Sequence, residues 1–271
     1  MVSSVTTAPG RQVNTRPFVR KRANILGVGV SPINMETALR AIEQWITAGD
    51  PHYICVANTH LVMMCQHDEE LRRIHNQAGL VTPDGVPLLW LTRLKGFKHV
   101  ERVCGPDLML AACEYGLPRG WKHYFYGAMP GVADRLAENL SERFPGLQVA
   151  GTYCPPFRPL TPEEDAEVVE RVNASGADIF WMAVGPGAME RFMAEHVGRM
   201  RCGVMAGVGA AFDFLSGNKP MAPRWMQRIG MEWFFRVCTE PRRLFMRYLV
   251  NNPAFVGRVI LQALGKRPKD I

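Results

Sequence analysis

The sequence predicts an α/β protein: a Rossmann-like parallel sheet flanked by helices, followed by a basic, helical C-terminal appendage. Three observations carry this reading. Short apolar runs alternate with stretches of helical periodicity from Asn24 to Gly217. The short apolar runs suit strands covered on both faces. After Gly217 the composition turns to Pro, Arg, Trp and Phe, with no further strand pattern.

The elements follow in order. Residues 1–22 carry five bases, no acid and no periodicity, and are expected to be a flexible basic arm. Candidate strands lie at 25–30, 53–57, 79–82, 122–126, 147–151, 179–183 and 203–206. Candidate helices lie at 34–47, 68–77, 106–115, 131–144 and 162–173. The first of them sets Ala38, Leu39, Ile42, Trp45 and Ile46 on one face. The last opens on Thr161-Pro162-Glu163-Glu164, a cap, a proline at the first position and acids in the first turn. In the appendage, 222–229, 232–250 and 255–264 are expected to be helical, with breaks near Pro241 and Pro253. The domain reading is therefore an arm at 1–22, an α/β core at 23–217 and a basic helical appendage at 218–271.

Composition narrows the function. The 271 residues are 47% hydrophobic and 21% charged, as in soluble globular proteins. The longest near-continuous apolar stretch, 179–189, falls well short of the about 20 residues that a membrane-spanning helix needs. The N-terminus lacks the apolar segment of a signal peptide. Seven Cys without a C-x-x-C argue for reduced thiols, and the seven His show no zinc-site spacing, so no metal is expected. The net charge of +7 is uneven: residues 219–271 hold eleven bases against three acids, whereas 23–218 hold 16 bases against 22 acids. A basic terminal block beside an acidic body points to an anionic surface or ligand. No nucleic-acid-binding motif or stacking platform accompanies it, so nucleic acid is not an expected partner.

Four places have the residue types for chemistry. Asp84 in Thr82-Pro83-Asp84-Gly85 would stand at a strand's C-terminal end, where a carboxylate can act as a general base; the same tetrapeptide also reads as ordinary turn chemistry. Arg102 in the 101–107 segment is either a phosphate ligand or a solvated partner of Glu101. Gly-rich turns follow three strands: at 127–131, at Gly185-Pro186-Gly187, and at 207–213 around Gly209 and Asp213. Together they point to a nucleotide-type ligand, although none fits the dinucleotide fingerprint or the P-loop. In the appendage, Arg224, Arg228, Arg236, Arg243 and Arg247 interleave with Trp225, Trp233, Phe234, Phe235 and Phe245. That mixture suits a membrane-surface element, or helices that bury their aromatics against the core.

Several of these stretches resemble the WecG/TagA/CpsF glycosyltransferases. The resemblance runs through T-P-D-G-V at 82–86, E-R-V-x-G-x-D-L at 101–108 and G-A-x-P-G-V-A at 127–133. It continues through G-V-G-A-A-F-D-F-L-S-G at 207–217, A-P-x-W-M-Q-R-I-G-M-E-W-F-F-R at 222–236 and E-P-R-R at 240–243. It implies a peripheral enzyme on the cytoplasmic face of the bacterial inner membrane. Such an enzyme moves a sugar from a UDP-sugar to a sugar-pyrophosphate-polyprenol, with inversion and without metal or other cofactor. A homo-oligomer is compatible with it. By that likeness Asp84 matches the base and Arg102 a catalytic pocket arginine. Asn58, Gly127, Gly185, Glu190, Gly209 and Asp213 match substrate-binding positions, and Arg236 and Arg243 match arginines that approach the pyrophosphates. The sequence departs from the family pattern at Val56, Met189 and Met221, where many members carry Thr, Gln and Arg.

Two other classes remain open on the residues alone: a non-catalytic, membrane-bound scaffold that binds nucleotide-sugars, and a Rossmann-type nucleotide-cofactor enzyme, an oxidoreductase or methyltransferase.

Overall fold

A computed structural model describes residue 18 and residues 21–265, the side chains of Arg243 and Arg247 excepted. The expected arm at 1–22 lies almost wholly outside the described residues. The chain opens with a hairpin of β1 (Ala23–Ile25) and β2 (Val28–Val30). The expected single strand at 25–30 is thus two strands, separate from the main sheet. Leu26 and Gly27 both take positive φ, 53° and 84°, and Asn24 Oδ1 accepts from the Gly27 N–H at 2.8 Å, closing the turn.

The core follows as α1 (Met35–Ala48), β3 (His52–Ala57), α2 (Thr59–Met64), α3 (Glu69–Gln77), β4 (Leu80–Pro83), α4 (Val86–Leu94) and α5 (Gly105–Gly116). It continues with β5 (Lys122–Gly127), α6 (Val132–Arg143), β6 (Gln148–Tyr153), α7 (Pro162–Ser175), β7 (Ile179–Ala183), α8 (Ala188–His196), β8 (Val204–Gly207) and α9 (Ala211–Leu215). Strands β3 to β8 form one six-stranded sheet in the order β4-β3-β8-β7-β5-β6, every neighbouring pair parallel. One core layer packs α1, α5, α6 and α9 on one face. A second packs α3, α7 and α8 on the other. Coverage on both faces is why β3, β4, β7 and β8 are buried along their whole length.

Local signals explain most boundaries. Asn34 caps α1 through its side chain, which accepts from Thr37 N, and Gly49 ends the helix at φ 61°. Thr161 and Glu164 form a full capping box on α7. The helices α2, α4, α8 and α9 are too short to show a clear period in sequence. The strand order reverses between β3 and β8: the chain leaves β3 toward β4 on one side and reaches β8 from β7 on the other. Parallel α/β sheets bind ligands at such a switch point, beyond the strands' C-terminal ends.

The appendage comprises α10 (Arg224–Arg228), α11 (Glu232–Thr239) and α12 (Pro241–Ala263). One expectation is met and one corrected. The expected break near Pro241 falls at Glu240, between α11 and α12, whereas the break expected at Pro253 does not occur: α12 runs through it. Pro241 starts α12, where its missing N–H costs nothing. Pro253 removes one helical hydrogen bond, while Leu244 and Phe255 on either side are buried and hold the helix on its course. Gln262, near the far end of α12, accepts from Leu26 N at 3.2 Å and donates to Asn24 at 3.2 Å. The appendage therefore folds back across the core as far as the first hairpin. Among the described residues, no helix is long and apolar enough to cross a membrane.

Candidate active site

A cleft of about 400 Å³ opens at the switch point. Its floor comes from the ends of four strands. Val56 and Asn58 stand at the end of β3, Asp84 after β4, Ala183 to Pro186 after β7, and Gly207 to Phe214 after β8. The appendage closes the cleft with Gln227, Glu232 and Arg236.

Asp84 is placed by its neighbour strand: its N–H donates to Ala57 O at 3.0 Å. The segment carrying Arg102 runs alongside, with Val103 N on Pro83 O at 3.2 Å. Arg102 then spends its donors on protein acceptors. Its Nε reaches Asp84 O at 2.5 Å, and its Nη1 reaches Gln227 Oε1 at 3.4 Å. Its Nη2 reaches Asp84 Oδ1 at 3.2 Å and Glu232 Oε2 at 2.7 Å. The side chains of Asp84, Arg102 and Glu232 are 23%, 19% and 24% exposed, sheltered from bulk water yet open to the cleft.

Electrostatics follow from that shelter. Desolvation pushes the Asp84 carboxyl up to about 6; Glu232 adds to the rise, while Arg102 and Arg236 oppose it. A carboxylate tuned upward in a cleft suits a general base. For Arg102, burial works against the charge, but Asp84 and Glu232 outweigh it and raise its affinity for the proton.

Glu232 and Arg236 lie four residues apart on α11, so both face the cleft. The Arg236 guanidinium sits 5.7 Å from the Phe214 ring centre, and among the described residues its buried Nε has no hydrogen-bond acceptor. A buried donor without an acceptor is costly, and an anionic ligand would satisfy it. Asn58 uses Oδ1 to cap α2 through Leu61 N at 3.1 Å, which leaves its NH2 as a donor. Asp213 is held by Asn218 Nδ2 at 2.7 Å and Lys219 Nζ at 3.1 Å.

Asp84, Arg102, Asn58, Gly185, Gly209, Asp213 and Arg236 thus converge on one cleft. Two other candidates stand outside its lining. Gly127 serves the fold: a Cβ there would meet Ala183 O at 2.3 Å, so the residue permits β5 and β7 to end side by side. Glu190 is fully buried, and its Oε2 accepts from Gly187 N at 2.6 Å, shaping the start of α8. The Arg243 side chain lies outside the described residues. Val56, Met189 and Met221 all line the cleft, which makes part of its wall apolar. Sequence reasoning did not assign a role to Glu232 or Gln227. Both stand inside the 222–236 motif, and a lone carboxylate in a basic, aromatic segment was the available signal.

A second cavity, about 610 Å³, joins the first around Asp84, Arg102, Glu232 and Arg236. It is a groove between α4, α11 and α12, walled by Trp90, Leu91, Leu94, Trp233, Val256 and Ile260. Its rim is continuous with exposed apolar residues of the appendage, among them Ile229 and Phe234.

The family model described as "Glycosyl transferase WecG/TagA/CpsF family" matches residues 23–269. The chain belongs to the WecG/TagA/CpsF family of glycosyltransferases. Two curated relatives carry the name N-acetylglucosaminyldiphosphoundecaprenol N-acetyl-beta-D-mannosaminyltransferase. The protein from Bacillus spizizenii is 26% identical over 208 residues, which is 77% of this chain and 78% of that protein. The one from Bacillus subtilis is 22% identical over 214 residues, 79% of this chain and 81% of the relative. Membership makes the switch-point cleft of this WecG/TagA/CpsF glycosyltransferase the place to look for sugar transfer.

Proposed function

We propose that this glycosyltransferase moves a sugar from a UDP-sugar to a sugar-pyrophosphate-polyprenol, with inversion and without a metal, at the cytoplasmic face of a bacterial membrane. The observation that carries the reading is the junction of a polar cleft and an apolar groove at Asp84 and Arg236. The relatives' printed names, which specify a diphosphoundecaprenol-linked acceptor, support the acceptor class.

The donor would lie over the glycine turns at Gly185 and Gly209, with Asn58 donating to it. The prenyl chain would lie in the groove, and Arg236, which lines both cavities, would stand between the two diphosphates, within reach of the one that leaves as UDP. Asp84 takes the proton of the acceptor hydroxyl as that oxygen bonds to the anomeric carbon. The bond from that carbon to the phosphate oxygen breaks on the opposite face, and UDP departs. Arg236 offsets the negative charge of a phosphate; Arg102, most of whose donors are engaged by the protein, orients Asp84. Arg243 stays a candidate second pyrophosphate ligand on its resemblance. The apolar wall of Val56, Met189 and Met221 sets the donor sugar, which a panel of UDP-sugars with mass spectrometry of the product would identify.

Transfer should persist in EDTA. The reading of arginine in place of metal fails if chelation abolishes turnover and Mg²⁺ or Mn²⁺ restores it.

Membrane docking rests on the appendage, where exposed Trp225, Phe245, Leu249 and Val250 accompany the basic side chains of Arg224, Arg228 and Arg242. Each base near an anionic surface contributes about 1 kcal/mol, and salt screens it. Sedimentation with anionic vesicles should therefore weaken as salt rises but persist through apolar insertion. Loss of all binding at high salt would remove the apolar part of the reading.

A further inference from the structure

We propose that Glu232 is a positioning residue for the base: it draws the Arg102 guanidinium away from the Asp84 carboxylate and keeps one Asp84 oxygen free to take a proton. The inference rests on the reading of Asp84 as base, and goes beyond it by giving the appendage a part in tuning the proton acceptor.

The geometry is unlike an ordinary Arg–Asp pair. An arginine facing a lone carboxylate settles into a two-pronged fork, with both carboxylate oxygens engaged. Arg102 makes no such fork with Asp84. Its Nε goes to the Asp84 backbone carbonyl, and only Nη2 touches the carboxylate, at a long 3.2 Å. The same Nη2 reaches Glu232 at 2.7 Å. Among the described residues, nothing donates to Asp84 Oδ2. Glu232 therefore competes for the cation that would otherwise quench the base. Gln227, on α10, takes Nη1 and donates its own Nε2 to Ala222 O at 2.7 Å, which holds the guanidinium plane from the appendage side.

The groups facing Asp84 come from every neighbouring element. The 101–104 segment supplies Arg102 and Cys104, whose thiol burial pushes up, so it stays neutral. Helix α11 supplies Glu232 and Arg236, and α2 supplies His60, which lines both cavities with Asp84. Removing the Glu232 charge takes away a like-charged neighbour and frees Arg102 to close on Asp84. Both changes lower the proton affinity of the base, so they reinforce each other. Glu232 lies in the appendage, which makes the docking of α11 part of assembling a competent base.

The test is the pH dependence of kcat for the full chain, read as UDP release with a short-chain prenyl-pyrophosphoryl sugar, in Glu232→Gln and Glu232→Asp. Glu232→Gln should move the midpoint of the acid limb down by at least about half a pH unit. It should also lower kcat near neutral pH by roughly tenfold, with donor KM changed less than about threefold. Glu232→Asp keeps the charge on a shorter stem and should fall between the two, so it carries the test alone if Glu232→Gln does not fold. An acid limb unmoved in every folded variant, with or without loss of rate, overturns the proposal. Asp84→Asn separates the two readings: if it retains turnover, the base is elsewhere; if it is inactive while the Glu232 variants keep the parent limb, only the role of Glu232 fails.

Discussion

Asp84→Asn should fold as the parent does and turn over at least about 10²-fold more slowly, because the acceptor hydroxyl loses its base while the shape of the site is kept. The Asn oxygen can still accept from Arg102, so the loss reports proton transfer rather than collapse of the pocket. In the parent, the rate should climb as pH rises through about 6, where the desolvated Asp84 gives up its proton. The same desolvation has a stability consequence of definite sign. Asp84 holds its proton more tightly in the folded chain than in the unfolded one, so a folding penalty builds up as pH rises from the unfolded value and is complete above the folded one. The penalty is absent below about pH 4, where the carboxyl is protonated in both states. Asp84→Asn carries no such charge. Its unfolding midpoint should therefore lie above the parent's at neutral pH and meet it in acid. Turnover like the parent's in a folded Asp84→Asn protein would remove Asp84 from the chemistry. A lower midpoint at neutral pH would mean that the carboxylate is a structural tie.

Arg236→Ala should cost about 10²–10³-fold in kcat, the usual loss when one donor aimed at developing charge is removed. Two features single out this arginine. Its Nε is buried with no acceptor among the described residues, and it lines both the polar cleft and the apolar groove. Arg102 would be a poorer choice, since Asp84, Gln227 and Glu232 already occupy it. Arg236→Lys should recover only part of the rate, because an ammonium restores charge but not the two-pronged contact with phosphate. Vesicle binding should hardly change in either variant, since one charge among many matters little for docking. Equal losses of vesicle binding and turnover would make Arg236 part of the anchor alone. Point variants are the sharper tool here. A chain ending at Gly217 keeps every strand among the described residues, but it would lose buried Leu244, Phe255, which packs into the core, and the Gln262 contacts with the first hairpin. Its inactivity would not separate chemistry from stability.

Apolar runs bounded by turn residues located all six strands of the parallel sheet within a residue or two; for β3, β4, β7 and β8 the reason is that a strand covered on both faces has to be apolar along its length, whereas β6, at the sheet edge, is partly exposed. Thr161 announced its helix for a similar reason: a cap acts over three residues, so its signal is local. The place of Asp84 at the end of β4 was legible in the same way, since Thr82-Pro83-Asp84-Gly85 follows an apolar run and turns the chain.

Other features depend on which distant segments meet. The turn at Leu26 and Gly27 splits what reads as one apolar strand. Pro253 reads as a helix end, yet α12 continues because residues on both sides of it are buried against the core. Gly127 and Glu190 look like ligand contacts in their motifs. Packing assigns one to a close approach of two strands and the other to the start of α8. Above all, Arg102 and Glu232 stand 130 positions apart in the sequence, and Asp84 and Arg102 18 apart. Their charges and types were readable from the start. Whether Arg102 would quench Asp84 or be held off by Glu232 is settled by a few tenths of an ångström between two hydrogen bonds, and only the folded chain sets those distances.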